Sequence, residues 1–287
     1  MLAIYKKEMR TYFTNMMGYV FLTFMILLVG IWFSLFNVRT GNPNYHAVLG
    51  DTTIFFFILI PVLTMRLFSE EARQKTDQLL FTSPLSIIQI VMGKFFAATS
   101  LFLIGTAITI IFPFMLRNHG NLPTSQFVGT YIGFVLIGLS LIAVGIFISV
   151  LTDNQIIAAV ATVAAVVVMF MIDMIAVSMP TSTFASFVFI AVIIVIVVVV
   201  WYNSTKHILS ALIVGGAGIA FSIGLYWTNN LIFDGVIVRA LLWISVYSRF
   251  NNFSVGILST SDVIYYISFV ALFCYLTINV IEKRRWR

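Results

Sequence analysis

The sequence predicts an all-α, polytopic membrane protein with about eight transmembrane helices. Two features of the composition support this prediction: 61% of the 287 residues are hydrophobic and only 9% are charged. A soluble domain carries about 25% charged residues, so this chain has too few to cover a surface in water. The apolar residues also occur in runs of about 20, the length that crosses a bilayer as a helix. We expect the whole chain, 1–287, to form a single transmembrane domain.

The predicted spans follow from sliding a window of about 20 residues along the chain. The sixth is rich in Val and Ile, but an unpaired strand in lipid would leave its backbone groups without hydrogen bonds, so a helix is predicted there too. Pro61 and Pro113 fall inside spans and are expected to kink them. Gly133, Gly138 and the glycines at 215, 216 and 218 permit close helix contacts. The eight windows are roughly 17–36, 53–68, 95–116, 127–151, 156–176, 184–202, 208–228 and 262–281.

Residues 1–15 are predicted to form an amphipathic helix at the membrane interface. Lys6, Lys7, Glu8 and Arg10 occupy the polar faces of this helix. The apolar residues that recur at helical spacing are Leu2, Tyr5, Met9, Tyr12 and Phe13. Basic helices of this kind lie along an anionic leaflet of the lipid bilayer. A signal peptide is the alternative interpretation, but the run that follows is too long for one and lacks a small-residue cleavage site.

The basic residues predict the orientation of the spans, because Lys and Arg concentrate in cytoplasmic loops. With the N-terminus inside, twelve of the 16 basic residues fall on the inner side and four on the outer side. Eight spans return the C-terminus to the cytoplasm, where 282–287 (EKRRWR) forms a basic end. The net charge of +6 therefore reflects topology and does not indicate nucleic-acid binding. The four outer residues are Arg39, Arg117, Arg239 and Arg249.

The polar stretch 66–94, between the second and third spans, carries clear signals for helix ends. Thr76 is the predicted N-cap of a short helix, and Asp77 in its first turn suits the helix dipole. Ser83-Pro84 is predicted to end that helix and to start a second one, which runs from Leu85 to Met92, reaches Gly93-Lys94 and enters the next apolar run. The sequence therefore predicts a helix-turn-helix arrangement on the cytoplasmic side.

A short helix held between two spans can transmit motion from a soluble partner to both of them. Leu79, Leu80 and Phe81 give the predicted helix an apolar face, which suits docking. Arg66 and Glu70 are four residues apart, so we expect an ion pair between them. The stretch is therefore interpreted as a docking element that drives the membrane part.

Two charged residues near the outer side of the membrane are candidates for a translocation path. Charge inside a membrane is costly and is often functional. Asp173 lies near the outer end of the fifth span, where it either reaches water at the interface or contacts a substrate. Arg239 lies in 229–261, a segment too long and too apolar for a plain loop. This segment is predicted to form one or two short helices at, or dipping into, the outer interface.

The sequence shows no pattern of a catalytic, nucleotide-binding or metal-binding site. There is no GxxxxGK[ST] loop, and His46, His119 and His207 are too far apart for metal-ligand spacing. The single cysteine, Cys274, cannot form an intramolecular disulfide. We therefore expect no enzyme activity in this chain, and any nucleotide energy must come from another polypeptide.

The polar stretch resembles the permease subunits of ABC-2 type exporters. The family pattern is an acidic pair that closes the second span, a short Thr-x-x-Leu-Leu helix, a Thr/Ser-Pro-Leu turn and a Gly-Lys that opens the third span. Lys75 stands where the family usually has Gly. The matching residues are Glu70-Glu71, Thr76 to Leu80, Ser83-Pro84-Leu85 and Gly93-Lys94.

The C-terminal part resembles the gliding-motility (GldF-type) branch of this family. Family members usually have six spans, so the additional pair at 184–228 resembles an insertion. The similarity covers the first five spans and the last span, with the short helices before it. The matching residues are Phe233-Asp234-Gly235, Ser248-Arg249-Phe250, Phe253, Gly256-Ile257, Asp262 to Tyr266 and Glu282 to Trp286.

The resemblance implies a non-catalytic permease subunit in the plasma membrane of a prokaryote. Two permease chains, identical or paired with a relative, would dock two ATPase subunits that bind ATP and Mg, and an auxiliary membrane subunit is compatible with this assembly. This chain itself would hold no cofactor. Docking would use the N-terminal helix and the coupling helix at 76–82. The implied interface consists of Glu70, Glu71, Arg73, Thr76, Asp77, Leu79, Leu80, Thr82 and Pro84.

Two other classes of function stay open at this point. A membrane scaffold could hold an ATPase and other partners, or transmit force, without export. An integral membrane enzyme acting on lipid-linked substrates would need several polar residues converging at one depth, and the sequence shows no such group.

Overall fold

The computed structural model describes residues 1–42, 44–76, 85–116, 124–228 and 230–285, and within these ranges it contains helices and no strands. Short π-helical and 3-10 turns extend or interrupt the α-helices. The α-helices are α1 (Leu2–Thr14), α2 (Met17–Phe33), α3 (Tyr45–Thr52), α4 (Phe56–Thr64), α5 (Ser69–Arg73), α6 (Ile87–Thr109), α7 (Ile111–Leu116), α8 (Thr124–Leu151), α9 (Gln155–Ser178), α10 (Thr183–Thr205), α11 (Ile208–Thr228), α12 (Val236–Ile244), α13 (Val246–Ser254) and α14 (Thr260–Arg285).

Among the described residues, eight helical segments are long and apolar enough to cross a membrane, which confirms the predicted number of spans. Each predicted window lies within one of them. The helix form follows from the environment, because in lipid the backbone must satisfy its own hydrogen bonds. The segments are Met17–Val38, Tyr45–Arg73, Ile87–Leu116, Ser125–Leu151, Gln155–Ser178, Thr183–Thr205, Ile208–Thr228 and Thr260–Arg284.

The second span begins at Tyr45, eight residues before the predicted start at 53. Residues 45–52 were not predicted to belong to the span, because His46 and Asp51 lower the mean hydropathy of this segment. In the structure Tyr45, Val48 and Leu49 are buried in the core, with at most 2% of each exposed. Tertiary packing therefore extends the helix beyond the point where composition alone would end it.

The third span starts differently from the prediction. Ser86 is the N-cap of α6: its Oγ accepts a hydrogen bond from the Gln89 backbone N–H, and the Gln89 side chain accepts one from the Ser86 N–H. This capping box satisfies two N–H groups at the helix end. The predicted helix from Leu85, which enters the third span, begins at Ile87 instead and continues without a break to Thr109. Ser83 and Pro84 lie outside the described residues.

Pro113 interrupts the third span, as its position in the sequence predicts. Proline lacks an N–H and clashes with the carbonyl four residues earlier, which here belongs to Thr109. The structure breaks the helix at Ile110, between α6 and α7. The Tyr45 hydroxyl donates a hydrogen bond of 3.4 Å to the Thr109 carbonyl, so the freed acceptor has a partner. In the second span, α4 runs through Pro61 and is preceded by a 3-10 turn, Thr53–Phe55.

The described chain divides into two compact units, Met1–Phe170 with Val246–Arg287, and Met171–Ser245. In the first unit α8 lies at the centre and packs against α14, α13, α4, α3 and α6. Glycines on α8 permit these close contacts. A side chain at Gly138 would overlap the Phe102 ring, and one at Gly133 would lie 2.7 Å from the Phe253 Cβ. The predicted role of these two glycines is confirmed.

Ser149 of α8 joins the two parts of the second span at the break between α4 and α5. Its Oγ accepts hydrogen bonds from the backbone N–H groups of Phe68 and Ser69, at 3.1 and 3.2 Å, and donates one to the Met65 carbonyl. A break in a buried helix leaves backbone groups that need partners. One serine on a neighbouring helix supplies three of these bonds.

We expect Ser149→Ala to lower the free energy of unfolding by about 1–3 kcal/mol, because two buried N–H groups lose their acceptor. Thermal melting in detergent micelles measures the effect. Ser140→Ala is the matched control: Ser140 lies on the same helix and is fully buried, but its hydroxyl bonds only to the Leu136 carbonyl of α8 itself. Equal melting temperatures for the two variants would contradict the prediction.

In the second unit α10 and α11 pack as a helical hairpin. Gly215 and Gly218 of α11 contact Val198 and Ile194, which confirms their predicted role, whereas a side chain at Gly216 would meet nothing within 4 Å. The additional pair of spans predicted at 184–228 falls wholly within this unit.

The segment before the last span contains two short helices, α12 and α13, as predicted. Asp262, at the start of α14, holds α13 in place: it accepts hydrogen bonds from Arg249 at 2.9 Å and from Asn252 at 2.8 Å. The Arg249 guanidinium also lies 4.0 Å from the Tyr265 ring centre. Several residues that carry the C-terminal resemblance therefore have a local structural role.

Candidate functional site: a charge cluster at the N-terminal helix

Helix α1 packs one side against the rest of the first unit, but this side differs from the predicted apolar face: Glu8, predicted on a polar face, is buried, and Leu2 is exposed. Ile4, Glu8 and Tyr12 recur every four residues and are buried. The Tyr12 hydroxyl donates to the Leu63 carbonyl at 3.0 Å, which ties α1 to the second span. Burial raises the pKa of Tyr12, so this hydroxyl stays a donor. Helix α1 also contacts the third span, where Gly93 lies close to Ile4.

Lys94 of α6 is the most buried cation of the described residues, with 1% of its side chain exposed. Its Nζ lies 2.8 Å from Glu8 Oε1 and 2.9 Å from Glu71 Oε2. It also donates to the Leu67 carbonyl at 2.5 Å and lies 4.9 Å from the Phe68 ring centre. A buried ammonium is stable only when such partners replace its water. Lys94 therefore joins α1, the end of the second span and the start of the third.

Lys7 and Arg66 complete the group. Lys7 Nζ lies 2.6 Å from Glu71 Oε1, so Glu71 bridges Lys7 and Lys94. Burial lowers the pKa of Lys7, but the hydrogen bond to Glu71 and the charges of Glu71 and Glu8 raise it more, and the net pKa is raised. Arg66 forms a two-pronged ion pair with Glu70, at 2.6 and 2.8 Å, which confirms the predicted pair. We call these six residues the charge cluster: Lys7, Glu8, Arg66, Glu70, Glu71 and Lys94.

Helix α5 ends in a Schellman motif immediately before the stretch that joins the second and third spans. The Lys75 N–H donates to the Ala72 carbonyl, and the Thr76 N–H donates to the Glu71 carbonyl. Lys75 has a φ of 56°, the left-handed conformation that favours glycine at this position. Lys75 therefore occupies a position where glycine would be free of backbone strain.

We expect Lys75→Gly to raise the free energy of unfolding by about 0.5–1 kcal/mol. A non-glycine residue in the left-handed region costs about 1–2 kcal/mol, and the greater freedom of glycine in the unfolded chain offsets about 0.5–1 kcal/mol of the gain. Thermal melting in detergent micelles tests this. Gln74→Gly is the matched control, because Gln74 has an ordinary helical φ of −83° and should lose stability instead. A lower melting temperature for Lys75→Gly would contradict the prediction.

The structure places only part of the predicted docking interface. Glu70 and Glu71 belong to the charge cluster, Arg73 is exposed on α5, and Thr76 bonds to the Glu71 carbonyl. The Tyr5 hydroxyl donates to Ser100 at 3.1 Å, whereas Lys6 and Arg10 are exposed. The predicted helix at 76–82 begins at the edge of the described chain, and five interface residues lie outside it: Asp77, Leu79, Leu80, Thr82 and Pro84.

Asp173 and Arg239 do not form an ion pair with each other, although both lie in the second unit. Arg239 donates to the Ile232 and Asp234 carbonyls and so closes the turn before α12. Both Asp173 carboxylate oxygens are inaccessible and have no hydrogen-bond partner of normal geometry among the described residues, and the Ser245 hydroxyl faces this carboxyl group. The prediction that Asp173 reaches water directly is therefore wrong for this chain by itself.

Sequence reasoning missed the role of Glu8 and left Lys94 as one residue of a motif. The signal for Glu8 was present: it lies four residues from both Ile4 and Tyr12, so it shares their buried side of α1. Its partner is 86 residues away along the chain, and no local pattern indicates the pair.

The charge cluster connects α1, the end of the second span and the start of the third span. No group of three metal-ligating side chains occurs in the described part of the chain. Comparison with models of known protein families finds no match, and comparison with curated proteins finds none either. The eight apolar helices place the chain among helical multi-pass membrane proteins. The charge cluster is the candidate functional site of this membrane protein.

Proposed function

We propose that the chain is the permease subunit of an ABC-2 type transporter, coupling ATP hydrolysis by a separate ATPase to the movement of a substrate across the plasma membrane of a prokaryote. The observation that carries the proposal is the bridge from Glu71 through Lys94 to Glu8, with separations of 2.9 and 2.8 Å. It joins both ends of the polar stretch between the second and third spans to each other and to α1.

This bridge gives a physical route for coupling. A short polar stretch can move spans only if its ends are held firmly, since a loosely attached loop would absorb a push by changing its own conformation. Lys94 is buried and the accepting carboxylates are mostly buried, with 10% and 13% of the Glu8 and Glu71 side chains exposed. A buried ion pair of this kind is costly to break, because separation leaves a buried charge without its partner. A force on 77–84 would therefore reach α1 and two spans together.

The predicted orientation is part of the proposal. With the N-terminus inside, the charge cluster and 77–84 face the cytoplasm, where ATP is available to a soluble partner. The assembly would contain two ATPase subunits, which bind ATP and Mg, and a second permease chain. This chain would contribute no catalytic group and no cofactor.

A purification experiment tests docking and transmission separately. The tagged chain is purified from its native membrane and ATP hydrolysis of the complex is measured in vesicles. Leu79→Ala/Leu80→Ala should weaken binding of the ATPase roughly 30-fold and so reduce its co-purified amount, because the loss of each of the two contacts costs on the order of 1 kcal/mol. Glu71→Gln should leave the ATPase bound but reduce its activity. Ile257→Ala/Leu258→Ala, an adjacent and exposed apolar pair elsewhere in the chain, is the control.

Two results would contradict the proposal. One is an unchanged amount and activity of the ATPase in both the Leu79/Leu80 and Glu71 variants. The other is labelling of a cysteine at Gln78 from outside intact cells, which would place the stretch on the wrong side of the membrane.

A membrane scaffold that transmits force without export is the second candidate. The observation in its favour is that Arg239 donates its hydrogen bonds to nearby backbone carbonyls and forms no ion pair with Asp173 among the described contacts. Transport measured in reconstituted vesicles separates the two: ATP-dependent movement of a substrate supports the permease, and ATP hydrolysis without transport supports the scaffold.

A further inference from the structure

The charge cluster leaves one set of cations on α1 without partners. Each carboxylate of the cluster already forms an ion pair within it: Glu8 with Lys94, Glu70 with Arg66, and Glu71 with both Lys7 and Lys94. No described carboxylate pairs with Lys6 or Arg10, and both side chains are exposed. They lie four residues apart on α1, so they project from the same side of the helix.

Exposed apolar side chains accompany these two cations. Leu2 lies four residues before Lys6 on the same side of α1 and is 65% exposed. Beyond the C-terminal end of α1, Met16 is 73% exposed, and Tyr19 in the first turn of the first span is 56% exposed. Cations between exposed apolar residues are typical of helices that lie in the lipid headgroup region, where the charges meet phosphates and the apolar groups meet acyl chains.

The position of α1 along the chain supports the same environment. Helix α1 ends at Thr14, and the first span begins at Met17. Only 22% of that span is buried against the rest of the chain, so its surface faces lipid. Arg10 lies on α1 only seven residues before the span begins. Long basic side chains near the end of a span can extend to the headgroup region.

We propose that Lys6 and Arg10 form a binding surface for the phosphate groups of anionic phospholipids. The proposal rests on the geometry of α1 and on the membrane-spanning character of the chain, and it is independent of the permease function. An acidic protein surface is the competing occupant. It is disfavoured because Leu2, Met16 and Tyr19 suit acyl chains, and because α1 is joined directly to a lipid-facing span.

The test measures binding of phosphatidylglycerol to the full chain in detergent micelles by native mass spectrometry. Lys6→Gln/Arg10→Gln should weaken phosphatidylglycerol binding roughly 30-fold, because each cation near an anionic lipid contributes about a fivefold factor. Binding of phosphatidylcholine should not change. Arg39→Gln/Lys206→Gln removes the same charge at exposed positions outside α1 and is the matched control. Equal melting temperatures would show that both variants stay folded.

Three outcomes would overturn the proposal. The first is equal phosphatidylglycerol affinity for the Lys6/Arg10 variant and the control. The second is displacement of the lipid by millimolar inorganic phosphate, which would indicate an unspecific anion effect. The third is loss of a co-purified ATPase from the Lys6/Arg10 variant with unchanged lipid binding, which would identify an acidic protein surface as the occupant. Because the lipid measurement needs no ATPase, failure of the permease proposal would leave it unaffected.

Discussion

Lys94→Met is expected to lower the free energy of unfolding by about 3–5 kcal/mol, because it leaves the buried carboxylates of Glu8 and Glu71 without their shared cation. Methionine keeps the length and the apolar stem of the side chain, so the change removes the charge and its hydrogen bonds with little loss of volume. Thermal melting in detergent micelles measures the effect. We also expect α1 to detach, which raises the rate at which a protease cleaves near Asn15.

Lys206→Met is the matched control, because Lys206 is exposed and forms no ion pair with a described residue. Its melting temperature should stay close to that of the original chain. The double variant Lys94→Met/Glu8→Gln should recover part of the loss, since Glu71 keeps its ion pair with Lys7 and Glu8, left with only a distant contact of 3.8 Å to Lys7, is then neutral. A Lys94→Met variant as stable as Lys206→Met would show that the ion pairs do not hold α1 in place.

Gly145→Leu is expected to lower the free energy of unfolding by about 1–3 kcal/mol or more, the range for overpacking a close contact. A side chain at Gly145 would overlap the Thr64 hydroxyl and lie 2.9 Å from the Thr64 Cβ, so α8 and the second span would have to separate. Ser149 lies one turn further along α8. Its hydrogen bonds to Phe68 and Ser69 depend on the same close approach and would be lost as well.

Gly216→Leu is the control for this variant. Gly216 also lies inside a predicted span, and an added side chain there meets nothing within 4 Å. Leucine should therefore be tolerated at 216 and destabilising at 145, as judged by melting in the same detergent. Similar melting temperatures for the two variants would mean that α8 and the second span are not in tight contact in the membrane.

The number of spans could be predicted from the sequence because hydropathy acts on each segment separately. Every apolar run of sufficient length must form a helix in lipid, whatever it packs against. The break at Ile110 was likewise predictable, since Pro113 removes an N–H and clashes locally. The boundary at Tyr45 was not predictable in this way, because burial of Tyr45, Val48 and Leu49 depends on helices far away in the sequence.

The candidate site was predictable only in part. The pair Arg66–Glu70 follows from helical spacing and is confirmed. The motif containing Lys94 could be recognised, but its role as a buried junction could not, because Glu8 and Glu71 come from other segments of the chain. The Schellman motif at the end of α5 could not be predicted, because its left-handed position holds Lys75 and lysine gives no sequence signal of a helix end.

The sequence by itself determined the membrane class, the eight helical spans and the amphipathic character of α1. Each depends on the composition and periodicity of a single segment, and the solvent acts on that segment directly. The tertiary structure alone decided that Lys94, Glu8 and Glu71 meet, that Ser149 satisfies the break in the second span, and that Asp173 and Arg239 do not pair. These outcomes depend on distances between segments, and helix packing sets those distances through close contacts such as the one at Gly145.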